Sequence, residues 1–333
     1  MDDWRVGLIT TFSVLAGLLA LGVANEAYVR LSAPKIKVRG KHCYVTGGSQ
    51  GLGKCVAQDL ARRGANVTIV ARREEVLKEA AREIKACALD PKQQQIEYVV
   101  ADVTSPSAAV EAIEAAVSKQ NQPIEYLFNV AGISNPGVFL DQSPELIRKT
   151  MDLNYFGTVY TTHEVAKRMV AGNIKGGHIV MVSSVLGFFG LVGYGAYCPT
   201  KFAVRGLAEA LRVELQAHDI NVHCYFPGTI FTPGYDLENL TKPAITKEIE
   251  GADEGMTPEK CSEGMFKGLE RGEFSITTDP IGMLLRCGTR GVMPNNNFML
   301  DSVLSGLSWI IFAVWRVVVD RAVISHASKQ KSK

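Results

Sequence analysis

Tyr197 and Lys201 stand four residues apart, a spacing that puts both side chains on one face of a helix. Pro199 lies between them, and proline is tolerated in a helix only in the first turn, so the pair belongs at a helix N-terminus. A phenol ionises near pH ~10, too high for easy proton exchange at neutrality. A neighbouring ammonium favours the phenolate, and about 1.4 kcal/mol of such preference moves the ionisation by one pH unit. The pair is thus a candidate acid–base device. Tyr-x-x-x-Lys is common by chance, and its weight comes from its surroundings. Ser184 closes an apolar β-rich run shortly before Tyr197, at the kind of strand end where open sheets bind ligands. Ser183 is the alternative hydroxyl.

A second cluster, Thr46-Gly47-Gly48-Ser49-Gln50-Gly51-Leu52-Gly53, follows the first β-rich run and opens the first helical segment. A chain that turns tightly, admits a pyrophosphate to its backbone and aims helix N–H groups at it needs glycine there. The spacing is Gly-x-x-x-Gly-x-Gly instead of the more usual Gly-x-Gly-x-x-Gly. The second β-rich run ends Ala71-Arg72-Arg73, where an acid would hold a ribose 2′-hydroxyl and an arginine a 2′-phosphate. Arg72 and Arg73 therefore favour NADPH/NADP+ over NAD.

The elements that must position these groups alternate regularly. Strand-like runs at 42–46, 67–70, 96–100, 126–130, 178–183, 222–226 and 274–277 are separated by helical segments at 52–63, 74–88, 107–119, 144–170, 196–217 and 258–271. Apolar strands between amphipathic helices predict an α/β fold with a doubly wound parallel sheet covered on both faces. One catalytic domain over 40–280 follows, with the long acidic segment 229–256 as a structureless lid over the site. Composition agrees: 47% hydrophobic and 21% charged residues exclude a disordered chain. A net charge of +2, with no basic run interleaved with aromatics, gives no reason to expect nucleic acid. Seven cysteines without metal-ligand spacing predict neither a disulfide framework nor a metal site.

The mean hydropathy of +0.07 is high, and the excess sits at the two ends. Val6 to Asn25 is uncharged over a length that crosses a bilayer as a helix, and its acidic flank (Asp2, Asp3) is unlike a signal peptide. Residues 1–30 are therefore expected to be a transmembrane anchor. Arg30, Lys35, Lys37, Arg39 and Lys41 follow it, which puts the rest of the chain in the cytosol. Near the other end, Ser302 to Trp315 is uncharged but short for a span. Residues 281–333 are thus expected to be a membrane-associated segment that lies along a leaflet, or dips and returns, before a basic tail. All three tryptophans fall in or beside these ends.

Together these motifs resemble the short-chain dehydrogenase/reductase family over about 240 of the 333 residues. Thr46–Gly53 is similar to that family's cofactor turn, and Asp102 to its adenine-contacting acid. Asn129-Val130-Ala131-Gly132 is similar to its Asn-Asn-Ala-Gly, with Val in the second place. Asn154 is similar to its helix asparagine, and Pro227-Gly228-Thr229-Ile230-Phe231-Thr232 to the segment beside the nicotinamide. The resemblance implies a Rossmann-type fold in which Tyr197 protonates the developing alkoxide. Lys201 would hold the nicotinamide ribose and lower the pKa of Tyr197. Ser184 would bind the carbonyl oxygen, and Asn154 would anchor a relay water. It implies cofactor contacts from Gly47, Ser49, Gln50, Gly51, Gly53, Arg72, Arg73, Asp102, Val103, Asn129, Tyr197, Lys201, Pro227, Ile230 and Thr232, and a homo-oligomer.

The apolar ends narrow the substrate to a long-chain lipid ketone taken from membrane lipid. Membrane-anchored hydroxysteroid or retinol dehydrogenases and a 3-ketoacyl-CoA reductase are the rival activities, and a dinucleotide-binding scaffold the non-enzymatic one. The C-terminal Lys329-Gln330-Lys331-Ser332-Lys333 resembles a dilysine retrieval signal, which implies the endoplasmic reticulum membrane. His163, His178 and Cys198 have no ligand-spaced partners and are expected to be structural. The Asn66 and Asn239 glycosylation patterns would go unused in the cytosol.

Overall fold

The computed structural model describes residues 3–32, 36–251 and 255–331. Seven strands run parallel in one sheet: β1 (His42–Thr46), β2 (Asn66–Ala71), β3 (Ile96–Val100), β4 (Ile124–Asn129), β5 (Gly177–Val182), β6 (Ile220–Tyr225) and β7 (Ser275–Ile276). The described helices are α1 (Asp3–Ser32), α2 (Gly51–Arg62), α3 (Glu74–Ala86), α4 (Pro106–Gln120), α5 (Pro144–Met151), α6 (Gly157–Ala171), α7 (Cys198–Leu215), α8 (Pro233–Thr241), α9 (Ala244–Glu250), α10 (Pro258–Glu270), α11 (Pro280–Gly288) and α12 (Phe298–Lys331).

Successive strand residues point to opposite faces, and each face has its own helices. Tyr44, Leu127 and Ile179 pack with Ile113 of α4, Val165 of α6 and Val204 of α7. Val45, Phe128 and Val180 pack with Leu60 of α2, Leu77 of α3 and Phe266 of α10. The strand order is β3-β2-β1-β4-β5-β6-β7, so the chain winds outward from β1 and then restarts on its other side at β4. Loops leaving β1 and β4 must diverge there, which opens a crevice beyond their C-terminal ends.

The structure departs from the sequence expectation in three places. The segment 144–170 is not one helix: α5 and α6 are joined by a π-turn at Asp152–Phe156, with Asn154 buried inside it. The segment 229–256 is not structureless. Thr232 caps α8, its hydroxyl accepting the Tyr235 amide at 3.2 Å with Pro233 at the first helical position, and α9 follows after Pro243. Residues 252–254 of that segment lie outside the described ones.

The C-terminal segment also makes no dip and return. α12 is unbroken, and Phe298–Lys329 within it is long and apolar enough to cross a membrane. Yet one stripe of α12 (Asp301, Ser308, Phe312, Trp315 and Val319) is turned from solvent at a period close to the helical repeat, with Asp301 and Ser308 against α11, and Phe312 and Trp315 against the catalytic domain. The opposite stripe, including Trp309, Ile310, Val314 and Val318, is exposed. At the N-terminus, the apolar stretch Ile9–Asn25 of α1 is shorter and does not by itself establish a span. α1 meets the start of α12 at Gly22, where a Cβ would fall 2.7 Å from Met299 Cγ.

Candidate active site

A cavity of about 690 Å³ occupies the crevice. Its first half is built mostly of backbone. Gly47, at φ +70°, turns the chain so closely over the next loop that a Cβ would lie 2.8 Å from Ala131 Cα. A Cβ on Gly53 would collide with the Gly47 carbonyl oxygen. The N-terminus of α2 therefore faces the cavity without side-chain cover, and Ser49, Gln50 and Gly51 line its entrance. Arg72 and Arg73 leave the end of β2. Arg73 donates to Gln50 Oε1 at 2.6 Å, and Arg72 Nη1 lies 3.9 Å from Asp102 Oδ2 across an exposed gap. Asp102, Val103, Pro227, Ile230 and Thr232 complete this half.

Asn129 does not join them. Its carboxamide donates to Thr162 Oγ1 at 2.8 Å and accepts from Thr161 Oγ1 at 2.6 Å, so it ties β4 to α6 while Val130, Ala131 and Gly132 line the wall. Both ends of its side chain are thus used within the sheet–helix packing, which leaves its backbone as the part that could meet a cofactor.

The second half holds the acid–base groups. Tyr197 is the N-cap of α7 and Lys201 lies one turn on, facing the same cavity. Lys201 Nζ donates to the Val182 carbonyl at 2.9 Å and sits 5.5 Å from the centre of the Tyr197 ring. The two candidate serines separate cleanly. Ser183 spends its hydroxyl on the Lys201 carbonyl at 2.8 Å, whereas Ser184 lies beside the Tyr197 phenol. Asn154 gives its two amide hydrogens to the Ile133 carbonyl (2.9 Å) and Thr200 Oγ1 (3.0 Å), and its Oδ1 accepts the Ile133 amide (2.8 Å). It thereby fixes the loop under Lys201. At Gly132 a Cβ would lie 3.2 Å from Asn154 Oδ1, so a side chain there would crowd the Asn154 carboxamide.

Electrostatics here differ from the simple Tyr–Lys expectation. Burial pushes the Tyr197 phenol well up, the Ser184 hydrogen bond opposes this, and the Glu238 carboxylate adds to it. Burial also lowers Lys201 to about 8. Desolvation dominates at both groups, and Tyr197 is held as a protonated phenol at neutral pH.

Several groups on the cavity escaped the sequence reading. Tyr194 donates toward Glu238 Oε1 (2.6 Å) and Glu250 Oε1 (2.8 Å), and the buried Lys242 ammonium lies 2.8 Å from Glu250 Oε2. Phe189 lines the cavity and also meets Trp315 of α12 edge-on at 5.4 Å, which joins the pocket wall to the C-terminal helix. Only the acidity of 229–256 hinted at the first group. The partners lie 44 to 56 residues apart, beyond any local spacing rule. His178 stacks between Tyr126 and His223 inside the sheet, in keeping with a structural role. Cys198 packs against Leu186 and Tyr194.

Comparison with known proteins agrees with this geometry. Residues 41–241 match the short chain dehydrogenase family. The chain is 40% identical over 292 residues to a 3-ketodihydrosphingosine reductase of Cryptococcus neoformans, covering 87% of this chain and 86% of that one. It is 37% identical over 282 residues to a 3-dehydrosphinganine reductase of Danio rerio, covering 84% and 82%. Among solved structures, a short-chain dehydrogenase from Sphingobium yanoikuyae in complex with NADPH superposes with a TM-score of 0.61 at 26% identity, over 71% of this chain and 87% of that one. With a doubly wound sheet, a glycine turn at its crevice and a Tyr–Lys–Ser cluster on the same cavity, the chain belongs to the short-chain dehydrogenase family.

Proposed function

We propose that the protein uses NADPH to reduce the ketone of 3-ketodihydrosphingosine (3-ketosphinganine), giving sphinganine. The observation that carries this reading is the continuity of one wall. It runs from Tyr197 and Ser184 past Leu186 and Phe189 to Trp315 on an apolar helix, a path suited to a ketone bearing a long chain. The names of the relatives point the same way.

The residues of the first half suit a dinucleotide. The bare N-terminus of α2 would receive the pyrophosphate, and Arg72 with Arg73 the 2′-phosphate. When bound, the cofactor supplies the hydride. The protein's own part is proton transfer and positioning. Tyr197, protonated at neutral pH, donates its hydrogen to the ketone oxygen as negative charge develops there, and Ser184 donates a second hydrogen bond to the same atom. Lys201 places a positive charge beside the phenol as it loses its proton, and Asn154 keeps the loop under Lys201 in place.

We assign the site to the cytosolic face of the endoplasmic reticulum membrane, with α1 as an anchor. The basic residues after α1 support that orientation. The dilysine pattern supports the compartment, although its last two residues, 332 and 333, lie outside the described ones. α12 is tied at its start by the buried Asp301–Arg286 pair, and near its other end it runs beside α9, with His326 3.5 Å from Glu248. A helix docked along its length in this way lies on the leaflet with its outer apolar stripe in lipid.

An NADPH-oxidation assay in detergent with 3-ketosphinganine, a 3-ketosteroid and a 3-ketoacyl-CoA tests the function. The first should give the highest kcat/KM. The acidic wall around Glu238 and Glu250 disfavours the phosphates of the acyl-CoA. Faster turnover of either rival would overturn the reading.

A further inference from the structure

The cavity that holds Tyr197 has two unlike walls beyond it. Leu186, Phe189 and Leu191 form an apolar one, and Tyr194, Glu238 and Glu250 form an anionic one. The rings of Tyr194 and Tyr197 have centroids 6.0 Å apart, so the carboxylates bound to the Tyr194 hydroxyl lie close to the reacting end of a substrate. The carboxylates are only 15% and 24% exposed, and the Lys242 side chain beside them 2%.

Charge and hydrogen bonding are both unbalanced there. Two carboxylates face one ammonium, which leaves one negative charge in a largely desolvated wall. The Tyr194 hydroxyl carries one hydrogen but points to both carboxylates, so at any moment one of them lacks it. Glu250 is better served, since Lys242 binds its second oxygen at 2.8 Å and reaches Glu238 only at 3.5 Å. Glu238 has only the shared Tyr194 hydrogen and the longer Lys242 contact, and it lies on the face of α8 that lines the cavity.

A ligand that completed this wall would be cationic, would carry several N–H donors and would have an apolar tail directed the other way. The ketone named for the relatives bears an amine on the carbon next to its carbonyl. We infer that Glu238, with Glu250 held beside it by Lys242, is the subsite for that ammonium, an inference that rests on the amino-ketone reading above. With the ammonium at Glu238 and the chain along Phe189, the ketone is directed to Tyr197 and Ser184. Glu238 is then a specificity-determining residue. Its carboxylate also keeps the amine protonated, and an adjacent ammonium withdraws electrons from the carbonyl and eases hydride addition.

The test compares 3-ketosphinganine with the same long-chain ketone lacking the amine, in the wild type and in Glu238→Gln, which keeps the shape and a hydrogen-bonding oxygen. A charge-assisted contact predicts that the wild type prefers the amino ketone by roughly 10- to 100-fold in kcat/KM. Glu238→Gln should cut that preference about tenfold or more, mainly through KM for the amino ketone. Tyr194→Phe, which removes the shared donor and leaves both carboxylates, should retain the preference. If the wild type reduces both ketones equally well, or Glu238→Gln depresses both equally, the ammonium subsite is overturned while the reductase reading stands. If the wild type reduces neither ketone, the reductase reading itself falls, and the subsite with it.

Discussion

The two halves of the cavity are built in different ways. The nucleotide half is made of strand ends and the turn before α2, and its requirements are local: a left-handed residue at Gly47, no side chain at Gly53, a cation just after β2. The substrate half is made of the loop after β5, the start of α7, α8 and the end of α9, with α12 packed behind Phe189, and it depends on distant partners: Tyr194 with Glu250, Phe189 with Trp315, Arg286 with Asp301. The first half repeats a general solution for holding a dinucleotide. The second is where this chain chooses its ketone.

Loosening the substrate half alone should separate the two most. Arg286 and Asp301 are both buried and pair through two hydrogen bonds of 2.8 and 2.6 Å, pinning the start of α12 to α11. Asp301→Ala leaves a buried guanidinium without its counter-charge, a loss of about 3–5 kcal/mol. Thermal unfolding in detergent should show this, and the paired Arg286→Met, Asp301→Leu replacement should recover most of it. A single variant as stable as the wild type would show that α12 is not anchored there.

That pair also marks the limit of what is legible in the sequence. All seven strands are legible because each is a compact apolar run between turn signals, and β1 and β3 begin and end where the pattern does. Tyr197, Lys201, Ser184 and the glycine turn are legible because their chemistry demands particular residue types at short spacing. The π-turn at Asn154 is not, since the helical period continues through it. α8 and α9 escape although Thr232-Pro233 is a capping signal, because an acidic, Pro- and Gly-containing stretch suits a loop as readily as a helix. The packing role of the Asn129 side chain is not legible either, because Thr161 and Thr162 lie more than thirty residues away.

Beneath both halves, the sheet holds histidines that acid should disturb without favouring either side. Burial lowers His42 to about 4, and His178 and His223, 2.9 Å apart, are also held below their usual value. Their folded pKa values lie below the unfolded ~6.5. The stability from keeping them neutral is therefore full above that pH and is lost as pH falls toward 4. His42 alone accounts for on the order of 3 kcal/mol. Denaturant midpoints measured from pH 7 to 4 should fall steadily, and His42→Gln should flatten part of the slope. An unchanged slope in that variant would contradict the assignment.

The smallest effect sharpens the nucleotide half. Arg72 is well exposed, so water screens its contact, and Arg72→Asp should weaken NADPH by about tenfold more than NADH. Equal weakening, measured by fluorescence titration of both cofactors, would assign Arg72 to the start of α3 alone.

Both halves of the cavity serve Tyr197 as the proton donor. Single-turnover reduction of 3-ketosphinganine by the Tyr197→Phe variant, with bound NADPH quantified in the same sample, tests that role most directly. Removing the general acid should slow hydride transfer by about 10²- to 10⁴-fold while NADPH binding stays close to that of the wild type. Wild-type transfer by the variant would contradict it.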